Sequence, residues 1–200
     1  MCCAGGLGQK RICSDLQRKG VRSVFRKAKE RDVDRITEIY EEIHTENEAG
    51  NITTDWIRGI YPSRETALLA VCRGDMFVEE EEGRIVAAAR INQEQVAEYA
   101  NANWEYDAPD DQVMVLHTLV VSPKEKGQGY GTRFVAYYEA YALEHGCLYL
   151  RMDTSVHNQG ARKLYQKLGY KEVSVVESEF NGISGIRLVC LEKKLAGGEL

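Results

Sequence analysis

The feature that most limits what this chain can fold into is the run Val113–Val121, rich in β-branched and apolar residues, which stops at Ser122-Pro123. A glycine-rich basic loop follows at Lys124–Gly131, and then Phe134, Val135, Tyr138, Tyr141 and Ala142 recur at helical spacing. A strand that feeds a glycine turn and a helix start aims successive backbone N–H groups at one point, where the helix dipole adds to their attraction for an anion. Such loops also serve as plain strand-to-helix turns, so phosphate binding is one of two readings. Two competing phosphate loops fail on spacing. The G-x-x-x-x-G-K pattern ending in Ser or Thr is absent, and Gly127-x-Gly129-x-Gly131 does not match G-x-G-x-x-G. Asp153 lies about 20 residues on, but beyond a long helix and on a different strand pattern.

On either side, helical and strand periods alternate. Val21–Lys29 reads as a first strand. Asp32 is expected to cap a helix carrying Val33, Ile36, Ile39, Tyr40 and Ile43 on one face, stopped at Gly50-Asn51. A second helix runs from Ser63 to Cys72 and ends at Gly74. Asp75–Glu82 and Arg84–Gln93 form a hairpin, and Gln93–Asp111 reads as an inserted surface segment. Beyond the central run, Cys147–Met152 is a buried strand and Asn158–Leu168 a short helix ended by Gly169. Tyr170–Phe180 and Ile186–Lys194 are strands around the turn at Asn181-Gly182. The interleaving predicts a single α/β or α+β domain over residues 21–195, with a leader at 1–20 and a tail at 196–200.

Charge is unevenly placed. Residues 1–31 hold nine basic side chains against two acids, a net of +7, which leaves −12 for the rest of a chain whose total is −5. The basic head lacks aromatic interleaving or a recognition-helix pattern, so it reads as a solvated leader, and nucleic acid is not expected as a partner. With 44% hydrophobic and 28% charged residues the chain is not disordered. No window nears the ~18 apolar residues that span a membrane. None of the six cysteines forms C-x-x-C or sits at zinc spacing with a histidine, and no secretory signal or Met-Gly-x-x-x-Ser lipid site is read at the start. Cys147 and Cys190 read as reduced core thiols. These features predict a cytoplasmic, metal-free protein.

Leu119-Val120-Val121-Ser122-Pro123 followed by Lys126-Gly127-Gln128-Gly129-Tyr130-Gly131 resembles the acetyl-CoA-binding motif of the Gcn5-related N-acetyltransferase (GNAT) family: Gln or Arg, two residues, Gly, one residue, then Gly or Ala. A second motif resembles the family's at Asn158, Ala161, Leu164, Tyr165 and Leu168-Gly169-Tyr170. Lys126 departs from the pattern, offering a point charge in place of a planar fork. The resemblance implies a mixed, mostly antiparallel central sheet flanked by helices, and an acetyl-CoA-dependent N-acetyltransferase acting on a primary amine. It implies that main-chain groups of Leu119, Val120 and Val121 pair with the pantetheine arm. The amides of Lys126, Gly127, Gln128, Gly129, Tyr130 and Gly131, with Thr132, would cradle the pyrophosphate. Asn158 would contact the cofactor arm, Tyr165 the region of the thioester sulfur. A non-catalytic acetyl-CoA-binding domain is the alternative, and a homodimer is compatible with the family.

Acetyl transfer to an amine requires that an ammonium lose a proton and that a departing thiolate gain one. Tyr165 is the expected acid. His117 is the expected base, because strand alternation would project it to the face of Val115 and Leu119 and imidazole titrates near neutral pH; a core histidine is the competing reading. Glu41, Glu42 or Asp111 could act through water instead. Cys147 lies near but in no activated setting, so direct attack in a ternary complex is expected over an acyl-enzyme. His44 and His157 are expected at the surface and His145 at a helix C-terminus. A small-molecule or peptide amine would meet an aromatic wall from Trp56, Tyr61, Trp104, Tyr106 and Phe180, with Asp107, Asp110 or Glu41 facing the cation.

Overall fold

The computed structural model describes residues 23–180 and 182–196. The expected leader, most of the expected tail, the side chain of Phe180 and Asn181 of the last turn lie outside the described residues. Seven strands form one sheet: β1 (Ser23–Lys27), β2 (Met76–Glu81), β3 (Arg84–Asn92), β4 (Val113–Val121), β5 (Tyr149–Ser155), β6 (Lys171–Phe180) and β7 (Ile183–Lys194). Their order is β1-β2-β3-β4-β5-β7-β6, and every neighbouring pair is antiparallel except β4–β5. Among the described residues four α-helices flank it: α1 (Val33–Glu48), α2 (Arg64–Arg73), α3 (Tyr130–Glu144) and α4 (Gln159–Lys167).

Alternation along the strands divides the core. On one face Phe77, Ala87, Ala89, Ile91, Met114, Leu116, Leu150, Met152 and Leu191 pack against α3 and α4 through Phe134, Val135, Tyr138 and Tyr165. On the other, Met76, Val78, Ile85, Ala88 and Val120 meet the apolar stripe of α1 (Val33, Ile36, Ile39, Tyr40, Ile43) and Ala67 and Ala70 of α2. These are the positions that helical period selects. Asp32, however, does not cap α1 through its side chain. Its carboxylate accepts two bonds from Arg26, at 2.6 and 3.1 Å, and one from the Lys29 amide, so it is spent on the preceding turn. His44 is also moved by the structure, from the expected surface to 1% exposure, with Nε2 3.0 Å from the Pro62 carbonyl.

Residues 93–111 correct another expectation. The segment is not a surface appendage: it roofs the second face at the β5–β7 end, where Tyr99 is 3% exposed and packs with Val113, Val115, Val176 and Cys190. A buried ion pair pins it. Arg151 Nε is 3.3 Å from Glu192 Oε1, its other nitrogens donate to Gln95 Oε1 (2.6 Å) and the Tyr106 carbonyl (2.9 Å), and its guanidinium lies 4.2 Å over Trp104. Glu192 Oε2 in turn accepts the amides of Glu105 and Tyr106. Trp104 and Tyr106 therefore serve this staple.

Removing one partner of such a pair strands a buried charge, which costs about 3–5 kcal/mol. Glu192→Ala is accordingly expected to lower the melting temperature by roughly 10 °C. The double variant Arg151→Met/Glu192→Leu should recover most of that loss in the same thermal melt.

Candidate functional site

The parallel β4–β5 ladder runs only from Val113↔Tyr149 to Leu116↔Met152. Beyond it β4 continues on β3 to Val121, β5 continues on β7 to Ser155, and a notch opens between them. At the divergence β4 carries one extra residue: Ala88 faces Val120, but Arg90, two residues on, faces His117, three residues back. This bulge centres on Thr118, whose φ is +52°. A left-handed conformation costs a non-glycine residue about 1–2 kcal/mol, and glycine is the usual occupant of such a bulge. The extra residue reverses alternation. Leu119 and Val121 turn toward the α3 and α4 core, while His117 stays with Val115 on the opposite face. The expectation that His117 and Leu119 share a face is thus corrected.

Backbone direction follows the same count. The Ser122 amide donates to Val86 at 2.9 Å, so residues 122 and 120 address β3 and the polar groups of Leu119 and Val121 address the notch. Val120 is withdrawn from the expected cofactor contacts, since its side chain is 1% exposed in the core and its main chain belongs to the β3 ladder.

Below the notch the loop leads into α3. Gly127 and Gly129 have φ of +85° and +82°, and Gly129 caps the helix without a side chain. The first amides of α3, at Tyr130, Gly131 and Thr132, have no intrahelical acceptor. A Cβ on Gly131 would stand 3.1 Å from Leu164 Cδ2, so a larger residue there would need Leu164 to give way at the α3–α4 contact. Side chains around the loop are largely committed. Lys124 Nζ pairs with Glu42 at 2.8 Å and Gln128 donates to Glu125 at 2.8 Å. Tyr130 is buried beneath the Arg133 guanidinium, with its hydroxyl on Glu81. Lys126 is exposed. Anion binding at this loop would therefore draw on backbone amides, with Lys126 as a mobile charge.

A cavity of about 140 Å³ passes through the notch. Leu116, Leu119, Asn158, Ala161 and Tyr165 line its α4 side; Asp55, Trp56, Tyr61, Arg90, Glu98, His117, Asp153 and Ser178 line the other. Asn158 caps α4, accepting the Ala161 amide at 3.1 Å, and also lines the cavity. Burial, with Asp153 nearby, raises the Tyr165 phenol above its ordinary range, so it stays protonated at neutral pH.

His117 is in the wall as expected, in an unexpected state. Asn92 Nδ2 donates to Asp75 (2.7 Å) and its Oδ1 accepts the Glu94 amide (3.0 Å), so His117 Nε2, 3.0 Å from that oxygen, must carry the hydrogen. Burial and the Arg90 charge push the imidazole down to about 3. A neutral ring held there is a poor proton acceptor. The group poised near neutrality is Asp153, which the sequence reading passed over. Burial pushes its carboxyl up to about 6, the hydrogen bond donated by Tyr99 at 2.8 Å opposes the rise, and Glu98 adds to it. Its sequence signal was a carboxylate directly after the apolar run that ends at Met152.

The other expected bases lie elsewhere. Glu41 is bound by Arg58, Glu42 by Arg35, Lys124 and Ser122, and none of Glu41, Glu42 and Asp111 lines the cavity. Of the expected aromatic wall, Trp56 and Tyr61 are present, 6.0 Å apart edge to face, while Trp104 and Tyr106 belong to the 93–111 roof. Asp107 and Asp110 belong to that roof as well. Asp55, bonded by Ser155 at 2.5 Å, and Glu98, bonded by Ser178 at 2.8 Å, take the acidic positions instead.

The model of the acetyltransferase (GNAT) family matches residues 33–170. The chain belongs to the GNAT family. Curated relatives include an uncharacterized N-acetyltransferase of Methanocaldococcus jannaschii, 30% identical over 77 residues (38% of this chain, 34% of that protein). Another, from Bacillus subtilis, is 27% identical over 90 residues (45% and 57%). The matches thus span about a third to just over half the length of these relatives. A GNAT acetyltransferase of Streptococcus agalactiae superposes with a TM-score of 0.73 at 21% identity, over 87% of this chain and 96% of that one. A putative acetyltransferase of Salmonella typhimurium, solved with acetyl-CoA, gives 0.62 at 17%, over 89% and 96%. These likenesses show the GNAT fold, and the fold class read from the sequence holds. Among the described residues no helix is long and apolar enough to cross a membrane, and no group of His, Cys, Asp and Glu is arranged to hold a metal.

Asp153 offers a direct check. Its folded value lies above its unfolded one, so the stability it contributes is present below about 4 and is lost as pH rises through about 6. Carboxyl-carbon NMR titration should give a midpoint near 6 for Asp153, moving higher in Tyr99→Phe because the hydrogen bond that holds the charged form is gone. Asp153→Asn should raise the melting temperature at pH 7.

Proposed function

We propose that this GNAT protein moves an acetyl group from acetyl-CoA to a primary amine, by direct attack in a ternary complex, with Asp153 as the base and Tyr165 as the proton donor. The observation that carries the reading is the cavity through the notch. It joins the β4 edge at Leu119, Asn158 and Tyr165 on one side to a titratable carboxylate and an aromatic corner on the other.

The residues fit acetyl-CoA. The outward main-chain groups of Leu119 and Val121 offer the pantetheine amides a strand edge, and the amides of residues 130–132 offer the pyrophosphate a helix start. Acetyl-CoA supplies an activated acyl carbon and a thiolate leaving group. On the amine side, the Asp153 carboxylate takes a proton from the ammonium nitrogen, a task suited to a group near 6. Trp56 and Tyr61 flank the nitrogen's substituent, and Glu98 and Asp55 favour a cation there. On the thioester side, the Tyr165 hydroxyl donates hydrogen to the sulfur. His117 is a neutral wall residue that keeps its hydrogen on Nε2. Cys147 and Cys190 are buried, and burial pushes the Cys190 thiol up to about 12 and raises that of Cys147. Cys72 lies on α2, outside the cavity lining. Neither chemistry nor position suits an acyl-enzyme. The acceptor is a small-molecule or peptide amine.

Thiol release from acetyl-CoA over butylamine, 1,4-diaminobutane, phenethylamine and an alanine-terminated peptide tests this, with calorimetry of acetyl-CoA alongside. The expected kcat/KM falls as pH drops below about 6. Asp153→Asn should cost about 10²–10⁴-fold and lose that limb, whereas His117→Ala should keep it. Tyr165→Phe should lower kcat about tenfold with acetyl-CoA affinity within about twofold. Tight acetyl-CoA binding with no thiol release from any amine would overturn the reading.

A further inference from the structure

Thr118 holds a conformation that nothing in the β3–β4 ladder demands of a threonine. Among the described residues Glu82 is the other non-glycine with positive φ, and it sits in the β2–β3 turn ahead of Gly83, where left-handed residues are the ordinary solution. Thr118 lies within a strand, and its branched Cβ makes the left-handed region harder still. Glycine would form the same bulge without strain. What glycine lacks is the hydroxyl. Thr118 Oγ1 meets the Tyr61 hydroxyl, and both residues line the cavity where β4 leaves β5.

Tyr61 reaches this point from a braced segment. Arg58 binds Glu41, Glu48 (2.8 Å) and Thr45 (3.0 Å) of α1, and Asn47 accepts the Thr54 amide at 2.8 Å. The segment also carries Asp55 and Trp56 to the cavity. The pair therefore joins the strand that borders the cofactor side to the segment that walls the acceptor side.

We propose that Thr118 and Tyr61 are an acceptor-positioning pair, and that the strained backbone at Thr118 is kept for its hydroxyl and not for the fold. An amine that must turn its lone pair toward the notch needs its N–H groups accepted on the far side. Asp153 provides one acceptor, and a hydroxyl oxygen of this pair provides a second, at the bulge between His117 and Leu119. The inference rests on the cavity being the amine site.

Three variants read it: Thr118→Gly keeps the bulge and removes the hydroxyl, Thr118→Ser keeps the hydroxyl, and Tyr61→Phe removes the partner. Thr118→Gly is expected to hold or raise the melting temperature, leave acetyl-CoA affinity within about twofold, and lower kcat/KM for the best amine of the panel about tenfold or more. Thr118→Ser should restore kcat/KM to within about threefold of wild type. Tyr61→Phe should match the Thr118→Gly loss, and the double variant should be no worse than either single one, as for a pair acting as a unit. The proposal is overturned by a fall of more than about 5 °C in Thr118→Gly, by kinetics in that variant equal to wild type, or by additive losses. If the wild type turns over no amine, the acetyltransferase reading fails by itself. The melting temperature of Thr118→Gly then still decides whether the strain serves the fold.

Discussion

After Leu116, β4 stays hydrogen-bonded to β3 but no longer to β5, and the arrangement of the site depends on that parting. A continuous parallel ladder would close the sheet, seal Leu119 and Val121 into it, and leave the two faces separated by backbone. Parting opens a passage from one face to the other. On one face α3 and α4 bring a helix start, Asn158 and Tyr165; on the other α1, the 52–61 segment and the 93–111 roof leave a gap between them. The bulge at Thr118 does the complementary work along the strand. It lets β4 present apolar side chains to the α3 and α4 core on both sides of the bend, while His117 remains on the opposite face.

Three carboxylates of the sheet differ in the partners that meet them. Glu192 receives a guanidinium and two backbone amides, and it holds the roof in place. Glu79, fully buried below the first turn of α3, receives Arg133 at 2.7 Å and Ser23 at 2.6 Å, and burial still raises its carboxyl. Asp153 receives one neutral phenol and has another acid for a neighbour. Of the three, Asp153 alone faces the cavity. The two carboxylates with a cationic partner are held within the sheet, and the one met by a hydroxyl is the one that lines the cavity.

Much of the fold was legible in the residues. The central strand, the β2–β3 hairpin and the α1 stripe announce themselves by period and the loop by its glycines, while Asn158 and Tyr165 were marked by resemblance to the family's second motif. What was not legible came from long-range pairing. Alternation placed His117 beside Leu119 because a threonine gives no sign of a bulge where glycine would. Asp153 looks like any polar residue at a strand end until Tyr99, 54 positions away, is seen to donate to it. Likewise the 93–111 segment reads as surface because its apolar content is sparse, and only the Arg151–Glu192 pair reveals that it is a roof. Trp104 and Tyr106 were assigned to a ligand wall on their size, yet size alone does not distinguish a wall from the lid over a buried guanidinium.

The loop's apparent basicity needs the same treatment. Lys124 is neutralised by Glu42, which also accepts Ser122 at 2.6 Å, so the foot of the loop is tied to α1 rather than offered to an anion. The amides at the start of α3 have no intrahelical acceptor, and their helix meets α4 at Gly131 and Leu164. The same helix α4 carries Asn158 at its cap and Tyr165 about two turns further along the same face. A side chain at residue 131 would meet Leu164 at the contact between the two helices, and Leu164 Cδ2 would have to give by a few tenths of an ångström. A Cβ on Gly127 or Gly129 would meet nothing within 4 Å. The three glycines are therefore not equivalent: two serve backbone angle, and the third serves the close contact of α3 with the helix that carries Asn158 and Tyr165.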